Sequence, residues 1–244
     1  MKVALIVNRI TERKERNFSR MLKYIEQSAK LKTKIIVFPE ASLTGLPDTR
    51  NPEYDFSLCV EIPGWETEKL SLLSQKYGLY IALGLLEKDC GKIYDTAVLI
   101  GPDGKIILKY RRITLGWMEK DADRNIYSCG KEIKVVDTEI GKVTFLICGD
   151  LFENSLVSRT REFEPDYVFV PMARAFEDCS YDTEKWKKEK KYYLKQIRKI
   201  PATFFVVNYI SERDCAFGGA MVVKDGKIIA EKNIGEEGIL IADI

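Results

Sequence analysis

The sequence predicts an α/β fold in which two mixed β-sheets are each covered by helices. Apolar strands alternate with amphipathic helices, a pattern typical of parallel strands joined by helical crossovers. In both halves of the chain, these strand–helix units are followed by a hairpin signal, Gly101-Pro-Asp-Gly104 in the first half and Asp225-Gly226 in the second. No linker rich in proline, serine or glycine interrupts the chain. We therefore expect residues 1–244 to form a single domain.

The first half begins with a predicted βαβ unit. Residues 2–7 form an apolar run, residues 11–32 carry apolar side chains at helical spacing, and residues 34–38 form a second apolar run. These two strands are expected to be parallel neighbours with a right-handed crossover. The next elements are a helix introduced by Pro63-Gly64 and ending at Tyr77, a strand, and a hairpin, with the strands over 79–86, 93–100 and 105–110.

The second half follows a polar loop over 111–131. Its predicted elements are a hairpin over 133–137 and 142–147, a helix over 151–163, a strand over 166–170, a helix over 183–200, a strand over 203–208, a hairpin over 220–223 and 227–231, and a last strand over 239–242. The helix over 183–200 is rich in lysine. We interpret its positive run as a solvated face, because the net charge of +2 gives no general argument for nucleic-acid binding.

Composition excludes several classes of function. No segment approaches the roughly 18–20 apolar residues that span a bilayer, so no membrane partner is expected. The chain contains no histidine, which excludes Ser-His-Asp and Cys-His catalysis. An ordinary catalytic zinc site is not expected either, because histidine is its usual ligand. No cofactor and no metal are expected. The six cysteines are far apart and form no C-x-x-C pair, so we expect no disulfide framework and a cytoplasmic location.

The segment from Lys142 to Glu153 contains the first candidate for chemistry. Residues 142–147 predict a buried strand that stops at Cys148. Gly149 is expected to allow a sharp bend, and Asp150 to cap a helix that starts near residue 151. A thiol placed so close to a helix N-terminus is expected to favour the thiolate. The alternative is an inert core cysteine, since free cysteine is among the most buried residue types.

Two further candidates lie at strand ends. Glu40 follows an apolar strand and a proline, and Arg112 follows the second strand of the first hairpin. Ligands of α/β sheets gather at the carboxyl ends of strands. If these side chains converge with Cys148, the carboxylate would take the thiol proton, the sulfur would attack a carbonyl or nitrile carbon, and the cation would stabilise the oxyanion. Each residue alone is equally well explained as an ordinary surface charge.

Three ordered motifs resemble those of the nitrilase superfamily of carbon–nitrogen hydrolases. Val37-Phe-Pro-Glu-Ala-Ser-Leu-Thr-Gly45 is similar to its glutamate motif, Lys109-Tyr-Arg-Arg-Ile-Thr-Leu115 to its lysine motif, and Leu146-Ile-Cys-Gly-Asp150 to its cysteine motif. Later segments, among them 166–171, 205–208 and 217–222, also resemble segments of this superfamily and occur in the same order. The resemblance covers almost the whole chain.

The resemblance implies a four-layer αββα sandwich that assembles as a homodimer or higher homo-oligomer. It implies hydrolysis of a small amide, nitrile or carbamoyl compound through a thioester or thioimidate on cysteine. Glu40 would be the general base and Cys148 the nucleophile, and the backbone N–H of Gly149 would help to bind the oxyanion. Arg112 stands where the family usually has lysine. Arginine keeps the positive charge but practically never loses a proton.

Several assignments stay open at this level. Glu119 or Asp123 is the candidate for a second loop carboxylate, and Arg174 is expected to bind a substrate carboxylate or else to be a surface arginine. Substrate specificity is expected to depend on residues 46–62, 116–131 and 172–182. Because Arg112 replaces the lysine that is usual in the family, two hypotheses remain. The protein is either an active thiol amidase or a degenerate, inactive nitrilase-fold protein that acts in binding or assembly. Retention of both Glu40 and Cys148 favours activity.

Overall fold

Two β-sheets pack face to face in the computed structural model, and helices cover the outer face of each sheet. The structure describes residues 1–47, 50–176, 178–180 and 182–244. Its strands are β1 (Lys2–Val7), β2 (Ile35–Val37), β3 (Tyr80–Asp89), β4 (Lys92–Ile100), β5 (Ile106–Arg111), β6 (Val135–Thr138), β7 (Gly141–Phe145), β8 (Tyr167–Met172), β9 (Thr203–Asn208), β10 (Ile210–Ser211), β11 (Ala216–Lys224), β12 (Lys227–Ile234) and β13 (Gly238–Asp243). Its helices are α1 (Lys14–Lys30), α2 (Pro52–Leu58), α3 (Trp65–Tyr77), α4 (Asn154–Glu162) and α5 (Thr183–Ile197).

The strand order shows two mixed sheets, as predicted. The first sheet has the order β13-β1-β2-β3-β4-β5, and the second has the order β10-β11-β9-β8-β7-β6 with β12 paired to β11. Strands β1, β2 and β3 are parallel neighbours, and so are β7, β8 and β9. The hairpins β4–β5, β6–β7 and β11–β12 are antiparallel.

Alternating side chains along each strand build the four layers. One face of each sheet meets the other sheet in a shared core that includes Leu5, Phe145 and Phe169. The opposite face of the first sheet packs against α1 and α3, and that of the second sheet packs against α4 and α5. Helix, sheet, sheet and helix therefore follow one another, which confirms the predicted αββα sandwich.

The topology brings the carboxyl ends of distant strands to one edge. Because β4 is antiparallel to both β3 and β5, strand β5 runs in the same direction as β2. Glu40 shortly after β2 and Arg112 directly after β5 therefore emerge at the same edge of the first sheet. In the second sheet Cys148 follows β7, and residue 173 follows the parallel neighbour β8.

The pleat of β5 selects which cation faces the core. Leu108 and Tyr110 lie on the face between the sheets, whereas Lys109 and Arg111 lie on the opposite face, where both donate to Glu87. Arg112 continues the inward series of even-numbered positions. Lys109 is therefore on the wrong face to supply the cation of the site.

Two local features differ from the sequence-based expectations. Helix α2 lies in a segment without predicted structure, where Asn51 accepts a hydrogen bond from the Tyr54 backbone N–H and Pro52 occupies the first turn. Strand β8 continues through Pro171 instead of stopping there. The seven residues of α2 are too few to show helical periodicity. Pro171 is compatible with β8 because the strand ends one residue later, at Met172.

The expectation of no disulfide framework is corrected by one bridge. Cys179 and Cys215 form a disulfide with a Cα–Cα distance of 4.7 Å. They lie 36 residues apart in the chain, but the segment after β8 and the turn before β11 meet at the same edge of the second sheet. Residues 48, 49, 177 and 181 of the predicted specificity segments lie outside the described residues. No helix in the described ranges has the length and apolar character needed to cross a membrane.

Candidate active site

Glu40 is fully buried on a tight turn after β2. The next residue, Ala41, has a φ of 45°, and the turn packs against β3 at Gly84. A Cβ on Gly84 would lie 2.6 Å from the Cα of Glu40, so only glycine permits this approach. The carboxyl group is thereby held by backbone packing and points into the space between the sheets.

Arg112 lies against Glu40 in the interior, with only 4% of its surface exposed. Its Nη1 donates a hydrogen bond to Glu40 Oε1 at 2.7 Å, and its Nε donates to Thr114 Oγ1 at 3.1 Å. The same Nη1 lies 3.6 Å from Asp95 Oδ2. Burial lowers the pKa of Arg112, but the nearby Glu40, Cys148 and Asp95 raise it above its usual value, so the guanidinium stays charged.

Cys148 occupies the sharp turn at the end of the strand. Its own φ is 43°, the left-handed region that non-glycine residues adopt at a cost of about 1–3 kcal/mol. The expectation that Gly149 makes the bend is therefore wrong. The expected cap is also corrected: residues Cys148–Phe152 form a short 3₁₀ helix, and Glu153 caps α4 through a hydrogen bond from Ser155 N.

Asp150 connects the cysteine turn to the arginine segment. Its carboxylate accepts hydrogen bonds from Tyr110 Oη at 2.8 Å, from Thr114 N at 2.8 Å and from Ile113 N at 3.2 Å. Burial raises the pKa of Asp150 above its usual value, although the hydrogen bonds from Thr114 and Tyr110 and the charge of Arg112 lower it. Asp150 therefore fixes the position of Cys148 relative to Arg112.

Gly149 has a packing role that the sequence does not show. A Cβ at this position would lie 2.5 Å from Arg112 Nη2 and 2.8 Å from Thr114 Oγ1. A Cβ on Gly116 would lie 3.1 Å from the same nitrogen. The guanidinium therefore occupies space that two glycines leave open.

Substitution of Gly149 by alanine is expected to destabilise the fold by about 1–3 kcal/mol, because the buried guanidinium has no room to move away. Chemical denaturation measures the loss. The double variant Gly149→Ala/Arg112→Lys is the control, since the lysine side chain ends before the position of Nη2. We expect the two substitutions to be non-additive, with the double variant more stable than the sum predicts. If the changes in unfolding free energy were strictly additive, the alanine Cβ at position 149 would not collide with Arg112.

The thiol of Cys148 is neutral in the resting site. Burial first, and then the charge of Glu40 and a hydrogen bond with it, raise the pKa of Cys148 to about 12. Arg112 and a hydrogen bond from the Ala173 backbone lower this pKa but do not compensate. The expectation that the turn favours the thiolate is wrong, since burial and a neighbouring carboxylate outweigh a short 3₁₀ terminus. The thiol needs a base.

The other predicted site residues lie outside the buried cluster. Arg174 is about half-exposed, and its Nε and Nη2 donate to the two carboxylate oxygens of Glu189 at 3.0 and 2.9 Å. A substrate carboxylate at Arg174 would have to share or replace this bidentate contact. Glu119 is exposed and lies 3.9 Å from Arg50, and Asp123 is exposed on the same loop.

Asp95 is the site residue that sequence reasoning missed. It lies on β4, is fully buried, and faces Arg112 and Glu40 from the first sheet. The sequence did contain a signal for it, because Asp95 is a carboxylate within the otherwise largely apolar segment 93–100. It lies on the same face of the strand as Ala97 and Leu99, which is the face buried between the sheets. In the described ranges, no cluster of three or more histidine, cysteine, aspartate or glutamate residues is suited to hold a metal ion.

Comparisons with known proteins agree with this architecture. The model of the carbon–nitrogen hydrolase family matches residues 2–244. Omega-amidase NIT2-A of Xenopus laevis is 32% identical over 156 residues, which are 62% of this chain and 55% of that protein. The human omega-amidase NIT2 is 31% identical over the same shares of the two chains. The match thus spans about half the length of these curated relatives.

Solved structures share the fold along nearly the entire chain. A carbon–nitrogen hydrolase from Helicobacter pylori G27 has a TM-score of 0.82 at 19% identity, covering 99% of this chain and 88% of that one. An amidase from Nesterenkonia sp. has a TM-score of 0.79 at 16% identity, covering 100% and 90%. At these identities the likeness concerns the fold. Because the family model matches residues 2–244 and the sandwich is the same, the protein belongs to the carbon–nitrogen hydrolase family, within the nitrilase superfamily.

Proposed function

We propose that the protein hydrolyses the C–N bond of a small amide through a covalent thioester on Cys148. The observation that carries this proposal is the buried Glu40–Arg112 pair, whose charges act on the partly exposed Cys148 at one edge of the sandwich. A carboxylate, a permanent cation and a neutral thiol are together sufficient for acyl transfer without histidine. The names of the relatives, omega-amidases, support an amide as the substrate.

Glu40 carries the proton through the reaction. It takes the thiol proton as the sulfur attacks the carbonyl carbon, and the C=O electron pair moves to the oxygen. The protonated Glu40 then gives this proton to the departing nitrogen as the C–N bond breaks, which leaves a thioester. A water molecule, deprotonated by Glu40, attacks the thioester, and the sulfur leaves with the proton from Glu40. The products are a carboxylic acid and ammonia or an amine.

Arg112 stabilises negative charge and takes no part in proton transfer. Its raised pKa keeps it cationic at every step. Its Nη1 donates to Glu40, whereas its Nη2 lies 2.5 Å from the position that a Cβ on Gly149 would take in the cysteine turn. A charged donor at this position lowers the energy of an oxyanion formed next to Cys148. The backbone N–H of Gly149 is proposed as a second donor.

A cavity of about 330 Å³ is the proposed entrance for the substrate. It is lined by Leu46, Pro47, Gly116, Trp117, Met118, Glu119, Arg213 and Asp214. Gly116 connects it to the site, since this glycine packs against the guanidinium of Arg112. The volume and polar lining suit a small polar amide. Glu119 is proposed to contact substrate at this entrance, and Arg174 from the side of β8.

Incubation with small amides is expected to produce an acyl adduct on Cys148. Intact-protein mass spectrometry after rapid acid quenching, combined with an ammonia assay, measures the adduct and turnover. The Cys148→Ala variant should show neither, whereas Cys90→Ala, at an exposed cysteine, should retain both. If amides, nitriles and carbamoyl compounds all fail to give an adduct or ammonia, the hydrolase proposal is refuted.

The second candidate function is that of an inactive family member that binds or assembles. The observation in its favour is Arg112, whose bulk and fixed charge differ from the lysine usual in the family. In that case the Cys148 adduct would be absent, although small amides would still shift the thermal unfolding temperature. A homodimer or higher homo-oligomer, a single domain over residues 1–244 and a cytoplasmic location remain predictions from the sequence.

A further inference from the structure

Asp95 and Glu40 face each other as two buried carboxyl groups. Both are fully buried, and Arg112 Nη1 lies between them, at 2.7 Å from Glu40 Oε1 and 3.6 Å from Asp95 Oδ2. Three carboxylate oxygens of this pair, Glu40 Oε2 and both oxygens of Asp95, have no hydrogen-bond partner among the residues that the structure describes. Buried polar groups without partners are costly, so these atoms require an explanation.

A single proton on one of the two carboxyl groups pairs two of these three oxygens. Two ionised carboxylates accept hydrogen bonds but cannot donate them, so they leave each other unpaired and repel. If one of the two is protonated, its O–H can donate to the other. Arg112 already binds Glu40 at hydrogen-bond distance, so the ionised member is Glu40 and the protonated member is Asp95. The charges of Glu40 and Arg112 then cancel.

We propose that Asp95 is a neutral carboxylic acid that donates a hydrogen bond to Glu40 Oε2, and that it is a positioning residue for this base. With Arg112 on one oxygen and Asp95 on the other, the Glu40 carboxylate is fixed in its plane, and its remaining lone pairs face the thiol. A neutral Asp95 also adds no second negative charge opposing the thiolate. The positioning role rests on the proposed function, whereas the protonation state does not.

The electrostatic surroundings of Asp95 agree with this state. Burial first, then the charge of Glu40 and a hydrogen bond with it, raise the pKa of Asp95 well above its usual range. Arg112 lowers the pKa of Asp95, and the charge of Asp150 raises it. Tyr110, on the neighbouring strand, stays a neutral phenol, because burial and the charge of Asp150 raise its pKa.

The pH dependence of stability tests the protonation state without any activity. Above the ordinary aspartate pKa of about 3.9, the unfolded chain has released the Asp95 proton, whereas the native chain retains it. The native state then binds more protons, so this group makes stability fall as pH rises towards its native pKa. Asp95→Asn removes that dependence. We expect the folding equilibrium constant of the variant, relative to the wild type, to rise by up to about tenfold per pH unit.

Asp89→Asn is the matched control, because the pKa of Asp89 is shifted in the opposite direction to that of Asp95. Asp89 accepts a hydrogen bond from Arg111 that lowers its pKa, so its stabilising contribution is present above the ordinary aspartate pKa. Its loss should destabilise the protein by an amount that no longer changes above about pH 5. If Asp95→Asn behaves like this control, Asp95 is an ionised partner of Arg112 and the proposal is wrong.

Infrared spectroscopy of the wild type keeps the test decisive if Asp95→Asn does not fold. At neutral pH the wild-type spectrum should contain the carbonyl stretch of a protonated carboxyl group that is protected from exchange. A wild-type spectrum without any such band would overturn the proposal.

The positioning role is tested by comparing asparagine with leucine at this position. Asparagine retains a donor for Glu40, and leucine does not. We expect Asp95→Leu to have kcat roughly a hundredfold lower than Asp95→Asn, with KM much less affected. The pH profile of Asp95→Asn should lack the alkaline decrease that ionisation of Asp95 causes in the wild type. Equal kcat values for the two variants would refute positioning but not the protonation state.

Discussion

Replacement of Glu40 by glutamine is expected to lower kcat/KM for an amide by roughly 10²–10⁴-fold, the usual contribution of a general base. The amide oxygen of glutamine still accepts the hydrogen bond from Arg112 Nη1, so the fold should persist. The amide cannot take a proton from Cys148. Because this thiol has a pKa of about 12, very little of it ionises at neutral pH without a base. Steady-state kinetics on the best substrate measure the loss.

The same variant should change the thiol in the opposite direction. The charge of Glu40 is one of the causes that raise the pKa of Cys148, so its removal should lower that pKa. Iodoacetamide should therefore alkylate Cys148 faster in Glu40→Gln than in the wild type at the same alkaline pH, with the exposed Cys90 as an internal reference. Glu212→Gln, at an exposed surface glutamate, is the matched control. Full activity in Glu40→Gln, or unchanged alkylation, would contradict the assignment of the base.

Replacement of Arg112 by methionine is expected to destabilise the protein by about 3–5 kcal/mol. Methionine fills similar space but leaves the fully buried Glu40 carboxylate without its cation. Loss of the cation also removes one of the two groups that lower the pKa of Cys148, so hydrolysis should fall to background. Urea denaturation and kinetics measure the two effects, and Arg159→Met on the exposed face of α4 is the control.

Arg112→Lys separates charge from shape. Lysine keeps the positive charge near Glu40, so we expect most of the stability to remain and activity to be retained. The space between Gly149 and Gly116, now occupied by Nη2, would be left partly empty. Complete loss of activity in Arg112→Lys would mean that the planar, forked geometry of arginine is specifically required.

The prediction of the fold succeeded where local pattern and tertiary environment agree. Strand β1 and strand β9 have the predicted bounds, and Gly78 ends α3 in the left-handed conformation, with a φ of 63°. Helix α2 was missed because seven residues contain too few turns for a periodic signal, although Asn51 and Pro52 marked its start. The disulfide was missed because sequence separation carries no information about which loops meet at a sheet edge.

Within the site, the sequence predicted the residues better than their interactions. Glu40, Arg112 and Cys148 were identified from strand ends and motifs, and the structure brings them together. The bend expected at Gly149 and the helix cap expected at Asp150 were wrong, because both were judged by local conformational preference. In the folded chain Gly149 makes room for a guanidinium, and Asp150 binds the segment that carries Arg112. These contacts join residues more than 35 positions apart.

The sequence by itself determined two mixed sheets covered by helices, the absence of histidine chemistry and the identity of the candidate nucleophile, base and cation. These follow from periodicity, composition and motif order, which are properties of short segments, and the family resemblance of the motifs added the αββα layering. Only the tertiary structure decided that the thiol is neutral, that Arg112 rather than Lys109 faces the site, and that Asp95 lies against Glu40. The physical reason is that burial and charge–charge proximity set protonation, and both arise only when distant strands pack together.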